Sequence, residues 1–97
     1  MMRTVGQIQQ LRVVIAVANA WNAIAIPAGA QDTCLGLELS TATMRVSNSN
    51  ALNATTEGQP VLPAGVFLIE GEFSAGATIY VASSAPTVAI LIYSLPT

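Results

Sequence analysis

In the stretch TCLGLEL, residues 33–39, Thr33, Leu35, Leu37 and Leu39 fall on one side of an extended chain while Cys34, Gly36 and Glu38 fall on the other. A period of two belongs to a pleated strand with one buried face; a helix would repeat its apolar positions every three to four residues. The same alternation recurs three times. In TMRVS, Met44 and Val46 point inward and Arg45 outward. In FLIEGEF, Phe67, Ile69 and Phe73 share one face and Glu70 and Glu72 the other. In TIYVAS, Ile79 and Val81 point inward, with Tyr80 opposite. Valine, isoleucine and threonine supply 26 of the 97 residues, the β-branched types that suit a pleated surface.

Gly, Pro, Asn and Ser interrupt these runs at short intervals, which predicts strands near 5–10, 12–18, 21–27, 33–39, 43–48, 65–73, 77–83 and 87–94. The expected fold is all-β, a small antiparallel β-sandwich or jelly roll of about eight short strands in one domain spanning 1–97. Residues 1–10 are expected as an N-terminal arm or edge strand, and the polar run SNSNALNATTEGQP, 47–60, as a long loop. The chain also carries an internal pseudo-repeat. PAG occurs at 27–29 and 63–65, and ATMRVSNS at 42–49 aligns with ATIYVASS at 77–84 at nearly the same offset. Proline presets φ near −65° and ends the strand before it, while glycine accepts a positive φ. Pro27, Gly29, Pro63 and Gly65 are therefore expected as turn residues and not as a ligand loop, because no helix follows either copy to present a phosphate site.

Two segments depart from alternation: RVVIAV, 12–17, and TVAILIY, 87–93, are apolar on both faces. A strand apolar on both sides needs a cover on each. One is the opposing sheet; the other is a packed loop or a second subunit. With 53% apolar and 8% charged residues, against about a quarter charged in ordinary domains, the chain has little charge for free surface and suits an assembly. Val14, Ala16, Trp21, Leu91 and Tyr93 are the candidate interface residues.

The same composition limits chemistry. The only cations are Arg3, Arg12 and Arg45, which form no basic patch for nucleic acid. Histidine is absent and Cys34 is the single cysteine, so Ser-His and Cys-His pairs, a cysteine zinc site and an intrachain disulfide are all excluded. Glu70 and Glu72 form a close carboxylate pair, but both project from one strand and do not flank a substrate. Neither they nor Asp32 form a calcium loop, so no cofactor or metal is expected. Trp21 and Tyr80 are open to a structural, interface or sugar-stacking role, and Asn53-Ala54-Thr55 matches a glycosylation acceptor, a triplet that occurs often by chance. No apolar run approaches the roughly 18 residues of a membrane span. The small-residue sites ANA and AGA near the N-terminus resemble leader cleavage sites, but Asn19, Trp21 and Asn22 interrupt the apolar run, and the chain is read as soluble and unprocessed.

The segments ANAWNAIAIPAGA, 18–30, and PVLPAGVFLIEGEFSAGATIYVASSAPTVAILIY, 60–93, resemble small structural proteins of tailed-bacteriophage virions. The resemblance lies in turn and strand residues and brings no catalytic residue with it. It implies a non-enzymatic virion component, assembled in the host bacterial cytoplasm. The first expectation is a capsid cement or decoration protein that forms a homo-oligomer and binds a major capsid protein; a neck, head-fibre or tail component is the alternative. A carbohydrate-binding jelly roll and a secreted adhesin are the readings from other classes.

Overall fold

A computed structural model describes residues 7–73 and 75–95 of the chain, and all of the regular structure in it is strand. The elements are β1 (Gln7–Ile15), β2 (Asn22–Ile26), β3 (Ala30–Leu37), β4 (Met44–Ser47), β5 (Gln59–Val61), β6 (Phe67–Phe73), β7 (Ala77–Ser83) and β8 (Thr87–Leu95). They form two four-stranded antiparallel sheets, the first in the order β1-β8-β3-β6 and the second in the order β2-β7-β4-β5. The fold is the expected small β-sandwich.

The inner faces carry the residues that alternation assigns to them, except Leu39, which lies past the end of β3 in a turn and is exposed. Ile15, Leu35, Ala89 and Leu91 of the first sheet join Ile24, Ile26, Met44, Val46, Ile79 and Val81 of the second in one core cluster. Two strand expectations change. The predicted strands 5–10 and 12–18 are one continuous strand, paired without a break from Gln7↔Leu95 to Ile15↔Thr87. The polar Gln10 and Arg12 do not interrupt it, because they alternate to the solvent side while Leu11 and Val13 pack on the core. Residues 7–10 of the expected arm are thus strand, and 1–6 lie outside the described residues. The end of the expected 47–60 loop is also strand, since Gln59–Val61 pairs with β4 at the sheet edge; Pro60, which cannot donate to a ladder, is tolerated there.

At Asp32, with φ of 51°, the register shifts between Gln31 and Thr33. This bulge turns both Ala30 and Thr33 into the core despite their odd spacing, and so lengthens β3 at its start beyond the predicted 33–39.

The pseudo-repeat appears in the topology. Each PAG triplet lies where the chain passes from the second sheet to the first, from β2 to β3 and from β5 to β6. The repeated partners pair with each other, β3 with β6 and β4 with β7, while β2 and β5 occupy opposite edges. The turns themselves differ by one residue of register. In the first, the Ala30 amide donates to the Pro27 carbonyl at 3.2 Å and Gly29 takes φ of 86°. In the second, the Gly65 amide donates to the Leu62 carbonyl at 2.9 Å, so Pro63 and Ala64 are the central residues and Ala64 carries the positive φ of 64°. Gly65 is needed for a different reason: a Cβ there would meet the Leu62 oxygen at 2.8 Å and Val61 Cγ1 at 2.9 Å.

The second turn and the β3 bulge set the stability changes to expect. A left-handed alanine costs about 1–2 kcal/mol, more than the roughly 0.5–1 kcal/mol of backbone entropy that glycine loses, so Ala64→Gly is expected to stabilise by up to about 1 kcal/mol. Gly65→Ala should destabilise by about 1–3 kcal/mol through the backbone clash. Thr33 buries its hydroxyl with no hydrogen-bond partner among the described residues. Relieving an unsatisfied buried group gains about 1–3 kcal/mol, so Thr33→Val should raise the thermal midpoint, as read by circular dichroism melts.

Candidate functional site

Outward positions of the first sheet form a broad apolar face. Ile8 and Val14 on β1 are 74% and 68% exposed, and Leu68 on β6 is 68% exposed. Ile92 on β8 and Val66, just before β6, are also exposed, and Val88 and Ile90 lie half-buried between the outer strands. Register aligns these side chains across the sheet: Leu68 opposes Cys34, Cys34 opposes Ile92, and Val14 opposes Val88. Patches of this kind rimmed by polar groups mark interaction surfaces. The salt bridge described on this face joins Arg12 Nη2 to Glu38 Oε2 at 2.6 Å, with both side chains about half exposed. Such an exposed pair contributes at most about 1 kcal/mol, so it decorates the face without holding it together.

The structure redistributes the candidate interface residues. Val14 lies on the apolar face, and Ala16 is exposed just beyond the end of β1. Leu91 does not belong to it: it is 0% exposed and sits in the core, and Tyr93, two positions on, packs against that core. In AILIY the pleat sends Leu91 inward, which leaves Ile90 and Ile92 as the outward pair. The signal is present in the alternation, but a run apolar on both sides does not say which parity is buried.

The outer face of the second sheet is partly covered. The 48–58 loop folds over β4 and β7, held by Trp21, whose Nε1 donates to the Leu52 carbonyl at 2.7 Å. Gly58, at φ of 84°, lies so close that a Cβ would come within 2.9 Å of Trp21 Cη2 and 3.1 Å of the Val46 oxygen. Trp21 is therefore a packing anchor for this loop, half-buried and in contact with backbone, which leaves it a poor stacking platform for sugars. The Asn53-Ala54-Thr55 triplet closes a turn in the same loop: Asn53 Oδ1 accepts from the Thr55 amide at 2.9 Å and from its hydroxyl at 2.6 Å.

Where the loop meets the ends of β4 and β7, a cavity of about 220 Å³ is lined by Asn19, Thr43, Arg45, Ala54, Thr55, Ala82, Ser83 and Ser84. Sequence reading does not find this constellation, because its members come from separate stretches and share no motif. The Glu70 and Glu72 positions flank Gly71 on β6, but their side chains lie outside the described residues. Among the described residues no group of three or more acidic or thiol side chains converges on a common point. No helix of the structure is long and apolar enough to cross a membrane.

The chain matches no family model, no curated protein and no solved structure.

Gly58→Ala tests the role given to Trp21. It combines a disfavoured φ with a clash against an aromatic ring and a carbonyl, so a loss of about 2 kcal/mol is expected. Trp21 emission should shift as the ring is displaced, whereas unchanged emission and stability would show that the loop is not held this way.

Proposed function

We propose that this chain is a non-enzymatic structural subunit that associates with copies of itself through the outer face of its first sheet. The carrying observation is the apolar surface presented by Ile8, Val14, Leu68 and Ile92. Its size supports the reading. Four strands about 4.8 Å apart, with β1 and β8 nine residues long, β3 eight and β6 seven at about 3.4 Å per residue, give a flat area of roughly 540 Å². A stable interface buries about 800 Å² per partner, so this face would supply the larger part of one and its rim the rest. A second copy also suits the charges present, because Arg12 and Glu38 are mutually complementary when a two-fold axis crosses the face.

The particular assembly we propose is a tailed-phage virion, and within it a cement or decoration role on the head lattice. The support for this step is the sequence resemblance of 18–30 and 60–93, joined to the small sandwich and its low charge. A neck, head-fibre or tail position would use the same face.

Two measurements separate the levels of this proposal. Sedimentation velocity at tens of micromolar should show an oligomer, and Ile92→Lys together with Leu68→Lys should shift it to monomer while the melting temperature holds. A monomer at all concentrations overturns the self-association. Mass spectrometry of purified virions from the host culture should find this chain in fixed ratio to the major capsid protein; its absence there overturns the virion role, whatever the oligomeric state.

A further inference from the structure

The cavity between the 48–58 loop and the second sheet holds a cation in an unusual setting. Among the described residues there are two arginines, and they differ sharply. Arg12 has a carboxylate at 2.6 Å. Arg45 has a single long hydrogen bond, 3.4 Å from Nη1 to the backbone carbonyl of Glu57, and no carboxylate lines its cavity. The Glu57 carboxylate is turned back into the loop, where its Oε1 accepts from the Asn53 amide at 2.7 Å. Arg45 is also half-buried as a residue, with its side chain lining the cavity. A guanidinium has five N–H donors, and here nearly all of them remain uncommitted.

The groups around Arg45 are hydroxyls and an amide. Ser83 is occupied, bonding to both the carbonyl and the amide of Ala85, and Thr55 donates to Asn53. Ser84 Oγ accepts from the Thr43 amide at 2.9 Å, which leaves its own proton to donate. Thr43 and Asn19 complete the polar part of the lining, and Ala54 and Ala82 supply small apolar patches. The wall is prearranged by the turn bonds of Asn53 and by the Trp21 anchor, so a ligand would order little on binding.

We infer that this cavity is a binding site for a hydroxylated monocarboxylate of acidic-sugar type, a uronic or sialic acid residue. Arg45 takes the carboxylate through its planar fork, while Thr43, Ser84 and Asn19 bond the ring hydroxyls. One cation in a chain of net charge −2 suits a single negative charge better than a doubly charged phosphate. The volume lies below the roughly 300–1,000 Å³ of sites for drug-sized molecules and suits one ring. The site belongs to the second sheet and goes beyond the assembly reading, which rests on the first.

The test is an amide-resolved NMR titration of the intact chain with galacturonate, N-acetylneuraminate, galactose and acetate. At least one acidic sugar should bind in the millimolar range, about −4 kcal/mol at 1 mM, with shifts confined to Thr43, Arg45, Thr55, Ser84 and their neighbours. Galactose and acetate should each bind at least about tenfold more weakly, the first lacking the charge and the second the hydroxyls. Arg45→Gln should abolish the acidic-sugar shifts. Asn19→Gly suits the φ of 58° at that position and should weaken the sugar without weakening acetate, which keeps the test valid if Arg45→Gln unfolds. No shift at these amides from either acidic sugar, or acetate binding as tightly as the sugars, overturns the inference.

Discussion

Everything in this fold depends on the interlocking of two inner faces. Leu35 and Leu91 from one sheet and Ile24 and Val81 from the other are completely sealed from solvent, and a chain of this size has no second core to fall back on. Because the side-chain period is two, this core sets the parity of every strand. A slip of one residue would bring Ile90, Ile92 and Val14 inside and put Leu91 and Val13 outside. Fully buried Ala30 and Ala89 leave space beside the larger core side chains, and the Asp32 bulge is what lets Ala30 join Thr33 on the inner side.

Once the inner parity is set, the outer one is set with it, and the two sheets use it differently. Among the described residues, the outward side of the first sheet is mostly apolar, interrupted by Gln10 and by the Arg12–Glu38 ion pair. The second is roofed by a polar loop that Trp21 fastens and that only glycine at 58 can approach closely enough. This asymmetry underlies the two proposals: an open apolar face suits another protein surface, and a roofed polar corner around Arg45 suits a small charged molecule.

Much of the fold is legible in residue order. TCLGLEL, TMRVS, FLIEGEF and TIYVAS each supply a strand with the predicted side inward, except that β3 ends at Leu37 and leaves Leu39 exposed in the turn that follows. The paired PAG and Ala-Thr-apolar-x-Val motifs correspond to strands that neighbour each other in the sheets. Other features required the neighbours to be in place. Pro63 and Pro27 occupy different turn positions in identical triplets, because packing constrains the two glycines differently: Gly65 lies against Leu62 and Val61, while Gly29 has open space beside it. The short β5 exists because β4 offers it a free edge, and nothing in the sequence Gln-Pro-Val announces a strand. Leu91 and Tyr93 read as interface candidates because a run that is apolar on both sides carries no parity of its own.

By itself, then, the amino-acid order determined the all-β class, the places where the chain must turn, and the absence of histidine, lysine and paired cysteine that closes off whole classes of chemistry. These are local properties, set by the period of two, by proline and glycine dihedrals and by which functional groups exist. Only the tertiary structure decided which of two apolar faces is core, and that Asn19, Thr43, Arg45 and the 48–58 loop meet around one cavity. That decision is non-local: it is settled by how the two sheets bury the most apolar surface against each other, and no single segment contains it.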